Sequence, residues 1–359
     1  MSDSEEVLFE QQGAVGFITL NRPKSLNALT LNMIRLMDPQ LAAWEDDASI
    51  AAVVIRGAGE RAFCAGGDVI DVYKAGLAAK ETGSTTGLQA DFFFEEYRLN
   101  RRIFQYPKPY IALIDGFTMG GGVGVSILGA FRVATERTRA AMPETAIGLF
   151  PDVGGSYFLP RLKGEIGCYL ALTGARIKPA DCLYSGLANA YIESVDMPAL
   201  EAAFAKTDWS GDAKAVAAKV IDGFAKDPGE APLQAQQAQI DRIFAASSVE
   251  EIVTSLKAEE GDWARETLST LLSRSPASMK VSLEQLRRGR DMDFDDAMIM
   301  EYRMSQAFMA EHDFYEGVRS VLIDKDHAPK WSPATLEEVS GEMVGRYFEA
   351  LGDRDLTFS

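Results

Sequence analysis

The stretch Tyr110-Ile111-Ala112-Leu113-Ile114-Asp115-Gly116-Phe117-Thr118-Met119-Gly120-Gly121-Gly122 decides how the chain reads. Its first five residues are apolar throughout, the mark of a strand covered on both faces, as in a parallel sheet. Asp115-Gly116 signals a turn, and the glycine triplet then opens a helical run over residues 123–129. A further strand-like run, Phe131-Arg132-Val133-Ala134, follows. Upstream, Ala51-Ala52-Val53-Val54-Ile55-Arg56 repeats the pattern and leads into a Gly- and Ala-rich loop over residues 57–68. Further upstream, Val7-Leu8-Phe9-Glu10 and Val15-Gly16-Phe17-Ile18-Thr19-Leu20 flank a polar Gln11-Gln12-Gly13 and predict a hairpin. Asn21-Arg22-Pro23-Lys24 ends it. Leu29, Met33, Leu36 and Met37 then predict a helix over residues 29–44, with Thr30 as its N-cap.

Strands alternating with helices predict an α/β class up to about Ala190. From about Pro198 to Leu351 the chain is rich in Ala, Glu, Lys, Met and Leu at helical spacing, with a break near residues 210–213. The expected division is a catalytic core over residues 1–190 and a mostly helical region over residues 191–359. Residues 76–87, rich in Ala, Gly, Ser and Thr, read as a mobile connection.

The 359 residues suffice for two domains, or one large domain with an appendage. Only two histidines occur, His312 and His327, with three cysteines, Cys64, Cys168 and Cys182. No His-rich zinc site and no four-thiolate site can be built from that inventory. Both histidines sit in strongly charged segments and are expected at the surface. Cys64 has no histidine near it in sequence and reads as packing. The net charge of −17 argues against a nucleic-acid partner, because such affinity rests on neutralising phosphates. A local group of Lys and Arg can still hold one anionic ligand. The start, Met1-Ser2-Asp3-Ser4-Glu5-Glu6, lacks an apolar signal core, and no apolar run approaches the roughly 18 residues of a membrane span. With three scattered cysteines, the expectation is a cytoplasmic protein with no membrane partner.

Two glycine loops follow buried strands: Phe63-Cys64-Ala65-Gly66-Gly67-Asp68 and Gly120-Gly121-Gly122. Missing side chains let backbone amides approach a ligand, and a helix start favours negative charge. Known phosphate motifs do not fit. Gly122 stands where a Walker A loop needs lysine, Val125 and Ile127 break GxGxxG, and Leu128 breaks a nucleophile elbow at Ser126. What remains is a pair of amide donors for a developing oxyanion, or simply glycines that permit close packing.

Carboxylates form a second group. The run Met142-Pro143-Glu144-Thr145-Ala146-Ile147-Gly148-Leu149-Phe150-Pro151-Asp152-Val153-Gly154-Gly155 carries two acids and no base. Apolar neighbours desolvate an acid and raise its pKa, which suits general acid–base work. The plain alternatives are a first-turn helix position for Glu144 and an N-cap for Asp152. A third acid, Glu96, fills the gap in the apolar stripe Phe92, Leu99, Ile103 and is expected to point inward, where it needs a partner or a ligand.

These residues resemble the enoyl-CoA hydratase/isomerase (crotonase) superfamily. The likeness is carried by Asn21-Arg22-Pro23-Lys24-Ser25-Leu26-Asn27-Ala28-Leu29, the two glycine loops, the segment from Ala141 to Gly155, and Gly317-Val318-Arg319-Ser320-Val321-Leu322-Ile323-Asp324-Lys325-Asp326. Within that superfamily the closer likeness is to its thioester-hydrolysing branch. The resemblance implies a spiral ββα core and an acyl-CoA substrate whose thioester oxygen meets the amides of Gly67 and Gly121. Ala65, Gly66, Asp68 and Glu96 are implied at the substrate, and Glu144 and Asp152 as the catalytic acids. The superfamily's hydratases use two glutamates, and the first falls on Gly124 here. That departure favours hydrolysis of a short branched 3-hydroxyacyl-CoA. No metal and no bound cofactor are implied, since CoA is part of the substrate and product. A homo-oligomer is possible on the same grounds. An enoyl-CoA hydratase or isomerase, and a non-catalytic acyl-CoA-binding protein, remain the alternatives.

Overall fold

The computed structural model describes residues 6–83 and 86–358. Its nine strands are β1 (Val7–Gln12), β2 (Val15–Leu20), β3 (Ala52–Gly57), β4 (Ala62–Cys64), β5 (Tyr110–Ile114), β6 (Phe117–Met119), β7 (Phe131–Ala134), β8 (Arg139–Ala141) and β9 (Ala190–Tyr191). β1 and β2 form the expected hairpin, with Val7 opposite Leu20 and Gln12 opposite Val15. All later pairings are parallel. They build one sheet in the order β1-β2-β3-β5-β7-β9 and a second in the order β4-β6-β8. The chain therefore gives one strand to the large sheet and the next to the small one, three times in succession. This is the alternation of a crotonase core, and the apolar runs at residues 52–55 of β3 and Tyr110–Ile114 of β5 follow from it, because all of these residues are buried.

Four helices carry the loops that matter here: α1 (Leu31–Asp46), α2 (Val69–Thr82), α3 (Leu88–Phe104) and α4 (Gly121–Ile127). Thr30 caps α1, its hydroxyl accepting the Met33 amide at 3.1 Å. Met33, Met37, Leu41 and Trp44 face inward from α1, whereas Leu36, expected on that stripe, is 37% exposed. The mobile connection expected over residues 76–87 is corrected up to Thr82, which completes α2. Ala78-Ala79-Lys80-Glu81 are strong helix formers, and their propensity prevails over the loop-like composition around them. Ser84 and Thr85 of that stretch, and Met1 to Glu5 of the acidic start, lie outside the described residues. α4 begins two residues earlier than expected, so the glycine triplet supplies its first turn.

Two compact units interleave along the chain. The first holds residues up to Gly67, Arg98–Ala141 and Arg176–Gln234, and contains every strand. The second holds Asp68–Tyr97, Met142–Ala175 and residues from Ala235 onward. In the first unit the large sheet presents Val15, Phe17, Val54, Ile111, Leu113 and Val133 to Leu200, Phe204 and Ile221 on the helices Met197–Lys206 and Ala213–Asp222. Burying each such side chain contributes about 1.5–3 kcal/mol. After β9, only helical elements occur among the described residues. No helix among them is long and apolar enough to cross a membrane.

Candidate active site

The first unit brings the two glycine loops together. β4 and β6 are parallel neighbours, so the loops leaving them emerge side by side. A side chain built at Gly66 would start 3.5 Å from the Met119 carbonyl and 4.0 Å from the Gly121 amide nitrogen. Gly66 also has φ +114°, a conformation closed to residues with a Cβ. The loop is pinned from outside. Leu29 donates to the Gly66 carbonyl at 2.9 Å and Ala65 to the Leu26 carbonyl at 3.0 Å. On the other loop, a Cβ at Gly122 would lie 2.1 Å from the Cys64 carbonyl oxygen, so only glycine allows α4 to start this close to β4. Among the described residues, neither the Gly67 nor the Gly121 amide donates to a backbone carbonyl. Unspent N–H groups on two neighbouring loops, that of Gly121 at a helix start, are of the kind that suits an anionic oxygen. Cys64 is fully buried and its thiol faces the Gly66 carbonyl at 3.6 Å, in keeping with packing.

The second unit gathers the acids. Glu96 is 2% exposed on α3, as its place in the stripe predicts. Glu144 opens the 3₁₀ turn Glu144–Ile147. That turn is tied to the helical region: Ser275 donates its amide to the Thr145 carbonyl at 3.3 Å and its hydroxyl to Asp313 at 2.6 Å. Asp152 accepts a hydrogen bond from the Tyr97 hydroxyl at 2.8 Å. It is not an N-cap side chain. Gly154 occupies that position, before α5 (Gly155–Phe158), and the acceptor for the helix start is a distant carboxylate. Glu301, fully buried on the helix Phe294–Ala310, accepts from the Gly154 amide at 2.8 Å and the Ser156 amide at 2.7 Å. Just before them Val153 has φ +53°, a left-handed conformation that costs a β-branched residue about 1–3 kcal/mol.

Four carboxyl groups thus share a buried region in which no lysine or arginine pairs with any of them among the described residues. Burial raises all four. Asp152 is pushed up to about 7 even though the Tyr97 hydrogen bond works the other way. Glu301 is pushed up to about 8 against its two amide donors. Glu144 is raised well above the carboxylate range by burial and then by the Asp152 charge. Glu96 is raised by burial and by Asp152, Glu144 and Glu301 in turn. Glu96 Oε1 and Glu144 Oε2 are buried with no hydrogen-bond partner among the described residues. Such atoms are expensive unless a ligand or a catalytic role accounts for them. This set can hold protons near neutral pH, which ordinary surface carboxylates cannot do.

Of the expected residues, Ala65, Gly66, Gly67 and Gly121 cluster in the first unit, and Glu96, Glu144 and Asp152 in the second. Asp68 also belongs to the second unit and heads α2, its carbonyl accepting from the Asp71 amide at 3.1 Å. His312 and His327 are exposed, as expected. Sequence reasoning missed Tyr97, Gln285 and Glu301. A signal existed for Glu301, which interrupts the stripe Phe294, Ala297, Met298, Met304, Phe308 as Glu96 interrupts its own. Tyr97 gave no such signal, since an aromatic residue on a helix reads as core. A separate open cavity of about 1010 Å³ in the first unit is lined by Glu6, Asn21, Arg22, Lys24 and Asn32 among others, with Arg22 ion-paired to Glu6 at 3.2 Å.

The enoyl-CoA hydratase/isomerase family matches residues 15–348. A Danio rerio protein named 3-hydroxyisobutyryl-CoA hydrolase, mitochondrial, is 51% identical over 98% of this chain and 91% of its own. Its Homo sapiens counterpart is 46% identical over 99% of this chain and 91% of its own. Among solved structures, a carnitinyl-CoA dehydratase from Mycobacterium thermoresistibile superposes with a TM-score of 0.90 at 40% identity, covering 99% of both chains. An enoyl-CoA hydratase from Rhodobacter sphaeroides 2.4.1 gives 0.89 at 38% identity, covering 99% of this chain and all of the other.

Proposed function

From membership of the enoyl-CoA hydratase/isomerase family, to which this chain belongs, we propose that it hydrolyses the thioester of 3-hydroxyisobutyryl-CoA to the free acid and CoA, a step of valine catabolism. The observation that carries this reading is identity of 46–51% over nearly the whole chain to relatives that bear the hydrolase name. The residues agree with it. Gly124 supplies no carboxylate at the position of the hydratases' first glutamate, whereas Glu144 and Asp152 stand as a buried acidic pair.

In the proposed reaction the thioester oxygen takes up negative charge at the Gly67 and Gly121 amides. Glu144, whose Oε2 has no other partner among the described residues, has two routes. It attacks the carbonyl to give a mixed anhydride that water then opens, or it takes a proton from the attacking water. In either case the C–S bond breaks and CoA leaves as the thiol, with one water consumed. Asp152 orients or activates water or binds the substrate hydroxyl, and Glu96 holds the polar end of the acyl group. Ala65, Gly66 and Asp68 line the substrate. Arg22 and Lys24 are suited to the phosphates of CoA. The reaction as written uses no cofactor. The buried free thiols of Cys64, Cys168 and Cys182 suit a reducing compartment. The cytoplasmic placement belongs with this proposal, and cell fractionation tests it against the mitochondrial label of the relatives.

A second reading, enoyl-CoA hydration, is favoured by the names of the two solved structures. Free thiol released from 3-hydroxyisobutyryl-CoA, measured beside the absorbance of an enoyl-CoA, separates the two. Thiol release with unchanged enoyl absorbance is expected. The reverse result would replace the hydrolase with a hydratase, and hydroxylamine trapping of an acyl anhydride would mark the nucleophilic route.

A further inference from the structure

We infer that Tyr97 and Glu301 are positioning residues for this reaction: Tyr97 orients the Asp152 carboxyl, and Glu301 holds the turn that carries it. The inference rests on the reading that Asp152 acts in hydrolysis. Asp152 sits directly before Val153, whose left-handed backbone would relax if nothing outside the turn opposed it. Glu301 opposes it, with one oxygen on the Gly154 amide and the other on the Ser156 amide. The same turn is gripped a second time by Gln285, whose Nε2 donates to the Pro151 carbonyl at 2.6 Å and to the Ser156 hydroxyl at 2.9 Å. A carboxyl group that takes up the two amides at 154 and 156, directly after the strained Val153, fixes the backbone on which Asp152 rides. Tyr97 then fixes the side chain by donating to Oδ2.

The groups that face Asp152 are Tyr97 and Glu96 from α3, Glu144 from the 3₁₀ turn and Glu301 from the helix Phe294–Ala310. All but Tyr97 are acids. The tyrosine hydroxyl is therefore the one neighbour among them that stabilises the ionised form of Asp152, and its aim depends on the turn staying in place.

The test uses the full chain, with NMR of isotope-labelled aspartate carboxyl carbons. The resonance missing from Asp152→Asn identifies the residue. Tyr97→Phe deletes one hydroxyl and should raise the Asp152 midpoint by about one pH unit. Glu301→Asp keeps a carboxyl group but is one methylene too short to span both amides. It should shift the midpoint the same way, and the double variant should move it no further than Tyr97→Phe alone, because both act through one hydrogen bond. For each single variant kcat should fall about 10- to 100-fold with KM little changed. The limb of the pH–rate profile that Asp152→Asn removes should move with the NMR midpoint.

An inactive Asp152→Asn beside an unmoved midpoint in Tyr97→Phe overturns this inference alone. Shifts that simply add in the double variant overturn the role of Glu301. Wild-type turnover by Asp152→Asn overturns the part given to Asp152, and this inference with it.

Discussion

Asp152 should make the folded protein lose stability as the pH rises through neutrality. Its carboxyl ordinarily gives up a proton near 3.8 and here does so at about 7. Below the lower value the folded and unfolded chains are both protonated at this site, and the site contributes nothing to the pH dependence. Between the two values the unfolded chain ionises while the fold keeps its proton, so each increase in pH favours unfolding. Above the higher value both states are ionised and the penalty is complete. At about 1.4 kcal/mol per pH unit, the whole span is worth about 4 kcal/mol. About 3 kcal/mol of that falls between about pH 5 and about pH 8, where proteins are easily studied. Glu301, at about 8, adds a penalty of the same sign, and the raised Glu144 and Glu96 act in the same direction.

Urea denaturation across this pH range, extrapolated to water, measures the effect. Wild type should be most stable at the acidic end of the range. Asp152→Asn removes one titrating group and should lose about 3 kcal/mol less between the two ends. A wild-type stability that stays flat or rises with pH would mean that the fold holds no such protons. A pH dependence in Asp152→Asn that superimposes on wild type would mean that Asp152 carries no displaced proton.

Glu144→Gln should lower thiol release about 10²–10⁴-fold, while calorimetric binding of a non-hydrolysable thioether analogue stays near wild type. Near-wild-type turnover would remove Glu144 from the chemistry. Gly122→Ala places a methyl carbon against the Cys64 carbonyl and should destabilise the protein by about 1–3 kcal/mol, read as a lower Tm. Activity should fall with it, since the same displacement moves the Gly121 amide. An unchanged Tm would mean that α4 does not need its close approach to β4.

Much of the frame was legible before any coordinates. Residues 52–55 of β3 and Tyr110–Ile114 of β5 are apolar runs, and burial on both faces removes the alternation that a half-exposed strand would show. Glu96 was placed inward because three apolar residues around it share a helix face, and helical geometry alone fixes that face. The same argument applied to the helix Phe294–Ala310 would have found Glu301. Leu36 and residues 76–82 depart from expectation for local reasons: Leu36 lies at the exposed edge of its stripe, and four strong helix formers continue α2 through small residues that suit a loop. Tyr97 was out of reach. Its role depends on a residue 55 positions away, and nothing in its own neighbourhood distinguishes a tyrosine that orients a carboxylate from one that fills the core.

The inventory is a matter of sequence alone: two histidines in strongly charged segments, glycines after two apolar runs, and acids set among apolar residues. Those are properties of composition and of spacing along one strand or helix, where geometry follows from period alone. Folding settles which glycine loops lie side by side, which four acids share one buried volume, and that the helix start at Gly154 is capped by the carboxyl group of Glu301. Those facts are set by parallel pairing between distant strands and by packing between distant helices. A pKa near 7 at Asp152 belongs with them, because desolvation depends on everything that surrounds a group, and most of what surrounds Asp152 is remote in the chain.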